Sequence, residues 1–84
     1  MDNPTLTCRR VAVRYPVSKT WGWFGPPVHF KLKGWFERPL EWYTANAVLE
    51  SMCEVAVNEY GFENCKIVEA PSEEVYELVN LGEL

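Results

Sequence analysis

The feature that most constrains this chain is a helical rhythm of apolar residues between Leu40 or Glu41 and Tyr60. Ala45, Leu49, Met52, Ala56 and Tyr60 stand at i, i+4, i+7, i+11 and i+15, a spacing that lays them along one stripe of an α-helix. Trp42, Val48, Cys53 and Val55 flank the stripe, and Asn46, Glu50, Glu54 and Asn58 fall on the opposite face. Pro39 before the segment and Gly61 after it match the usual asymmetry of helix boundaries. The pattern predicts one main helix over residues 41–60. Such a helix must bury its stripe, and a chain of 84 residues has room for one core. Residues 1–84 are therefore read as a single domain, in which strands supply the surface that covers the helix.

Three strands can be read. Residues 5–15 are rich in β-branched types and free of Gly and Pro until Pro16 ends the run. Residues 28–37 alternate with period 2, with Gly34 as the expected bulge or point of close approach. Between them, Val17 to Pro27 carries Ser18, Gly22, Gly25, Pro26 and Pro27 and is read as a long loop. Asn64 to Ala70, bounded by Gly61 and Pro71, predicts the third strand. Ser72, followed by Glu73 and Glu74, has the form of a helix N-cap with carboxylates in the first turn, so a short helix is expected to about Leu81. The expectation is an α+β fold of order β-β-α-β-α, an antiparallel hairpin and a third strand packed on the main helix.

Side chains alternate across a strand, which assigns faces. Val11, Val13, Tyr15, Val28, Phe30, Leu32, Phe36, Cys65 and Ile67 are expected to face the helix. Cys8, Arg10, Ala12, Arg14, His29, Lys31, Lys33, Trp35 and Lys66 are then expected on an open outer face, with Glu50 and Glu54 on the far side of the helix. The charge division along the chain agrees with this. Residues 1–40 hold seven of the eight basic residues and two acids, and residues 41–84 hold one base and ten acids. Eight of the twelve aromatics lie between Trp21 and Tyr43, so the basic half is also the aromatic half.

Several function classes are disfavoured. The composition, 48% hydrophobic and 24% charged, is that of a folded chain. No basic segment followed by an apolar one opens the sequence and no long apolar run interrupts it, so neither secretion nor membrane spanning is expected. Cys8, Cys53 and Cys65 are odd in number and widely spaced, which fits a reduced, cytoplasmic protein and small core residues. Joined with His29 they would make a Cys3His set, but without the local ligand pairing of structural zinc sites, so no metal and no cofactor are expected. His29 has no paired nucleophile beyond Cys8 across the hairpin, and no phosphate loop, nucleophile elbow or HExxH motif is present. No enzyme is expected.

What remains is surface. Trp21, Trp23 and Phe24 in the 21–27 segment either cap a small core or stay exposed, and exposed Trp is enriched at binding hot spots. With Trp35, Glu50 and Glu54 they form the candidate protein-binding set. An acidic, aromatic-rich β-β-α-β chain of this size is similar, in size and charge balance, to phage and mobile-element proteins that block host nucleases, such as anti-CRISPR inhibitors. That likeness implies a non-catalytic module that binds another protein, a nucleic-acid-handling complex, by occupying its surface. A second reading takes Arg10, Arg14, Lys31, Lys33 and Trp35 as a single-stranded nucleic-acid face, against a formal charge of −4 that opposes it at long range. A third is a homodimer formed through a strand edge or the aromatic segment.

Overall fold

The computed structural model describes residues 5–32 and 40–83. Strand β1 (Thr5–Arg14) is central in an antiparallel sheet of order β2-β1-β3, with β2 (Trp21–Leu32) and β3 (Cys65–Ala70) as its edges. Helix α1 (Leu40–Tyr60) lies against one face. A 3-10 turn (Phe62–Asn64) leads into β3, and two further 3-10 segments (Glu73–Glu77 and Leu81–Glu83) follow it. The α+β fold expected from the sequence is present. Among the described residues, no helix is long and apolar enough to cross a membrane.

The helix face is built as the periodicity implies. Leu49 and Ala56 of α1 are buried against Val11, Val13, Val28 and Phe30, and Ala45, Met52, Cys53 and Tyr60 pack around them with Phe24 and Trp42. Because α1 rests mainly over β1 and β2, the corresponding face of β3 is left partly open. Ile67, expected inside, is 48% exposed for this reason. Tyr15 is 39% exposed; it lies across Gly22, where an added Cβ would meet the Tyr15 hydroxyl at 2.8 Å, and reaches the Tyr60 ring edge-to-face at 5.7 Å. Val48 and Val55, beside the helical stripe, are about as exposed as Ile67.

The long loop over Val17 to Pro27 is not there. The connection closes between Tyr15 and Thr20, where the Tyr15 N–H donates to the Thr20 carbonyl at 2.8 Å and the Lys19 N–H donates to the Tyr15 carbonyl at 2.8 Å. Lys19 takes the left-handed conformation, φ 62°. From Trp21 onward the chain is strand, and period 2 explains it: Trp21 and Trp23 point to one face, Gly22 and Phe24 to the other. The Gly and Pro residues that suggest a loop form a bulge instead. Val11 pairs with Phe24 and Arg9 with Val28, so Gly25, Pro26 and Pro27 all lie opposite Arg10. An edge strand tolerates prolines because its outer side carries no ladder. Gly25 supplies a positive φ of 84°, and Arg10 Nε donates to its carbonyl at 2.9 Å. Gly34, the expected bulge, lies outside the described residues, as do Phe36 and the side chain of Leu32.

The expected C-terminal helix is also corrected. Ser72 caps no backbone N–H, and residues 73–77 wind as a 3-10 helix. A segment this short gains too little from its own hydrogen bonds to offset nucleation. Its conformation is set by what Val75, Tyr76 and Val79 touch on the sheet.

Candidate protein-docking surface

The outer face of the sheet is covered rather than open. Cys8, Ala70 and Tyr76 are buried there, with Trp23, Val68, Val75 and Val79 packed around them. The Tyr76 hydroxyl, on a side chain only 3% exposed, donates between the Cys8 carbonyl at 2.7 Å and the Val68 carbonyl at 2.8 Å. Burial first, and then the neighbouring Cys8 thiol, pushes its pKa up to about 12, with Arg10 opposing. The Tyr76 ring meets Trp23 edge-to-face at 5.1 Å, and the Arg10 guanidinium lies over Trp23 at 4.9 Å and over Tyr76 at 5.9 Å. Trp23 and Phe24 thus belong to two cores on opposite sides of one strand. Trp21, half-buried, carries Lys66 Nζ over its ring at 5.2 Å.

Among the described residues, the outward cations are engaged within the fold. Arg14 donates twice to Asn64 Oδ1, at 3.0 and 2.8 Å, and the buried Asn64 amide donates in turn to the Tyr60 carbonyl at 2.8 Å. His29 Nε2 stands 3.4 Å from Glu73. The carboxyl of Glu74 is held below its usual range by its own backbone N–H first, and then by the Ser72 hydroxyl. Glu73 and Glu74, from the acidic half of the chain, therefore lie against the basic face. Lys33 and Trp35, and the side chain of Lys31, fall outside the described residues.

Cys8 and His29 are direct cross-strand partners, but the thiol is sealed beneath Tyr76. Burial, followed by the Glu73 and Glu74 carboxylates, raises its pKa, the opposite of what activates a cysteine nucleophile. Cys65, also raised by burial, and Cys53 lie on the other side of the sheet. Among the described residues, no group of three or more His, Cys, Asp or Glu side chains could hold a metal ion.

A surface of different character lies between α1 and β3. Because α1 sits toward β2, a groove of about 410 Å³ runs along its other flank, lined by Leu49, Cys53 and Val57 below and by Glu50 and Glu54 at the lip, with Ile67 as the strand wall. A second hollow of about 220 Å³ shares Cys53, Val57 and Ile67 and extends it to Phe62 and Cys65. Phe62 is 81% exposed at that end. Glu50 and Glu54, expected on the far side of the helix, are thus brought to the rim of an apolar trough. Two cations among the described residues border these hollows: Arg9, in the groove, is held by Glu69 at 2.9 Å and lies 4.8 Å above the Phe30 ring, and Lys66, beside the second hollow, has its Nζ over the Trp21 ring. Glu50 accepts from the Asn46 amide at 3.1 Å. Among the described residues, no cation pairs with Glu50 or Glu54.

Sequence reasoning found the acidic lip and missed the trough. Phe62 was the available signal: a large apolar residue placed directly after the helix-ending Gly61, where no core position is expected. No family model, no curated protein and no solved structure matches the chain.

Proposed function

We propose that this chain is a non-catalytic protein-binding module that acts by occupying a partner's surface through the groove between α1 and β3. The observation that carries this reading is an apolar trough with exposed Phe62 and Ile67 under an acidic lip, Glu50 and Glu54, that has no cationic partner among the described residues. Apolar area gives such a contact its affinity, and the carboxylates give it direction and association rate. The partner we infer is a protein with a basic surface, as nucleic-acid-handling proteins have, and the module acts as its inhibitor by covering that surface. Direct binding of nucleic acid has less support. Arg10, Arg14 and Lys66 are each committed to an internal partner, and freeing them would cost those contacts.

Affinity capture from source cells with the intact chain, repeated with Glu50→Lys and Glu54→Lys together, tests the reading. Both side chains are exposed, so thermal stability is expected to stay nearly unchanged while a specific partner is lost. Recovery of the same partner at the same yield by the charge-reversed chain would sink the proposal. Trp23 is unsuitable for this purpose, because its truncation would open the outer core.

A further inference from the structure

We infer that the groove receives an extended segment of the partner as a fourth strand on β3, with apolar side chains at the centre of its groove-facing row and Lys or Arg at the flanks. This rests on the protein-binding reading above and specifies its mode.

The two edges of the sheet differ in what they permit. The β2 edge is interrupted by the Gly25–Pro27 bulge, and Pro26 and Pro27 carry no N–H, both of which deter strand pairing. The β3 edge has neither device. Its six residues contain no Gly or Pro and pair with β1 in unbroken register from Cys8 with Ala70 to Val13 with Cys65. Its other side carries no strand among the described residues. Backbone groups on such an edge offer a template for an incoming chain.

A strand added there would lie about 4.8 Å beyond β3. Every second side chain would then stand beside Ile67 on the flank of α1. The centre of that row meets Ile67 and Val57, with Phe62 continuing the apolar floor toward Cys65, and it calls for apolar side chains. Toward the ends stand Glu50 and Glu54 on α1 and Glu63 by Cys65, whose carboxylate helps to raise the Cys65 thiol, while the cations there, Arg9 and Lys66, are engaged with Glu69 and the Trp21 ring. These call for cations. A second copy of this chain fits less well, because its own β3 would bring Glu63 and Glu69 to a seam that already holds them. An amphipathic helix would fill the trough but leave the β3 edge unused.

The probe is the peptide acetyl-Lys-Thr-Ile-Thr-Ile-Thr-Lys-amide, titrated calorimetrically against the intact chain at low salt. Binding is expected, together with slower iodoacetamide alkylation of Cys53. Replacing both peptide lysines with glutamates should weaken binding by about tenfold or more, and the Glu50→Lys, Glu54→Lys chain should reverse that preference. Two backbone-methylated peptides, one methylated at its Thr nitrogens and one at its Ile nitrogens, decide the mode. In a strand, one of the two sets faces β3, so one peptide must lose affinity. If both bind like the parent, strand addition is wrong. Failure of the lysine peptide to bind at millimolar concentration, or a dimer in sedimentation that the peptide cannot dissociate, overturns the inference as well. Should partner capture depend on Glu50 and Glu54 while the methylated peptides bind unchanged, the docking reading stands and only the strand mode falls.

Discussion

The two faces of this sheet are covered by opposite strategies. On one, a 21-residue helix lays down a continuous apolar stripe, and the contact is held by area. On the other, a five-residue 3-10 segment is held by a few directed contacts: one phenol shared between two carbonyls, one guanidinium over two rings, and His29 beside Glu73. Area-based packing tolerates displacement, which is why α1 can sit off-centre and leave a trough along β3. Directed contacts do not, and the outer face has no comparable gap at Cys8, Ala12 and Ala70, which are all buried.

The largest effect should come from breaking each covering at its centre. Leu49→Ala removes a side chain that is 3% exposed and is expected to cost about 2–5 kcal/mol, seen in urea unfolding as one cooperative loss. Tyr76→Ala should instead release residues 71–83 first, seen as early proteolysis there while β1 amides stay protected from exchange. If both variants lose everything in one step, the faces form one cooperative unit and the contrast fails.

A smaller effect sharpens the outer face alone. Tyr76→Phe keeps the ring and removes the donor, for an expected cost of about 1–2 kcal/mol. Its pH dependence carries a sign. An unfolded tyrosine ionises near pH 10, whereas the folded phenol keeps its proton up to about 12. Between these values the unfolded state has already released the proton, so stability should fall as pH rises, by about 2–3 kcal/mol across the window. Tyr76→Phe should lack that component. It should retain the earlier decline as unfolded Cys8 and Cys65 thiols ionise, since both are raised in the fold. Equal alkaline slopes for the two proteins would show that Tyr76 is not held as described.

The smallest effect is a control on neither face. Lys19 occupies a left-handed position at φ 62°, which disfavours an L side chain, so Lys19→Gly should stabilise by about 0.5–1 kcal/mol. A loss on thermal melting would mean that the turn depends on the lysine side chain.

The helix face was legible because periodicity records it directly. Ala45, Leu49, Met52, Ala56 and Tyr60 are the residues that turn inward, and Val11, Val13, Val28 and Phe30 meet them. The outer face was not, since a hydrogen bond from Tyr76 to Cys8 spans 68 positions and leaves no local pattern. The Trp21–Pro27 segment misled for a related reason. Its Gly and Pro residues punctuate a bulge in an edge strand, while the alternation of Trp21, Gly22, Trp23 and Phe24 already carried the period of a strand. Glu50 and Glu54 were recognised by type but placed on the wrong side, because sequence spacing does not reveal how far a helix is offset across its sheet.

The bulge opposite Arg10 has a consequence for how β2 can vary. It sets four steps of β2, Phe24 to Val28, against two steps of β1, so the surplus is an even number of residues. An even surplus leaves the phase of the strand intact: Phe24 and Val28 share one face, and Trp23 and His29 share the other. Removing both Pro26 and Pro27 would therefore shorten β2 without exchanging its sides. Removing either alone would leave a surplus of one, which keeps tryptophan and phenylalanine on their own sides only if two neighbouring residues at the bulge turn to the same face. The length of this strand is thus freest to change by twos, since a change of one must be absorbed in the bulge itself.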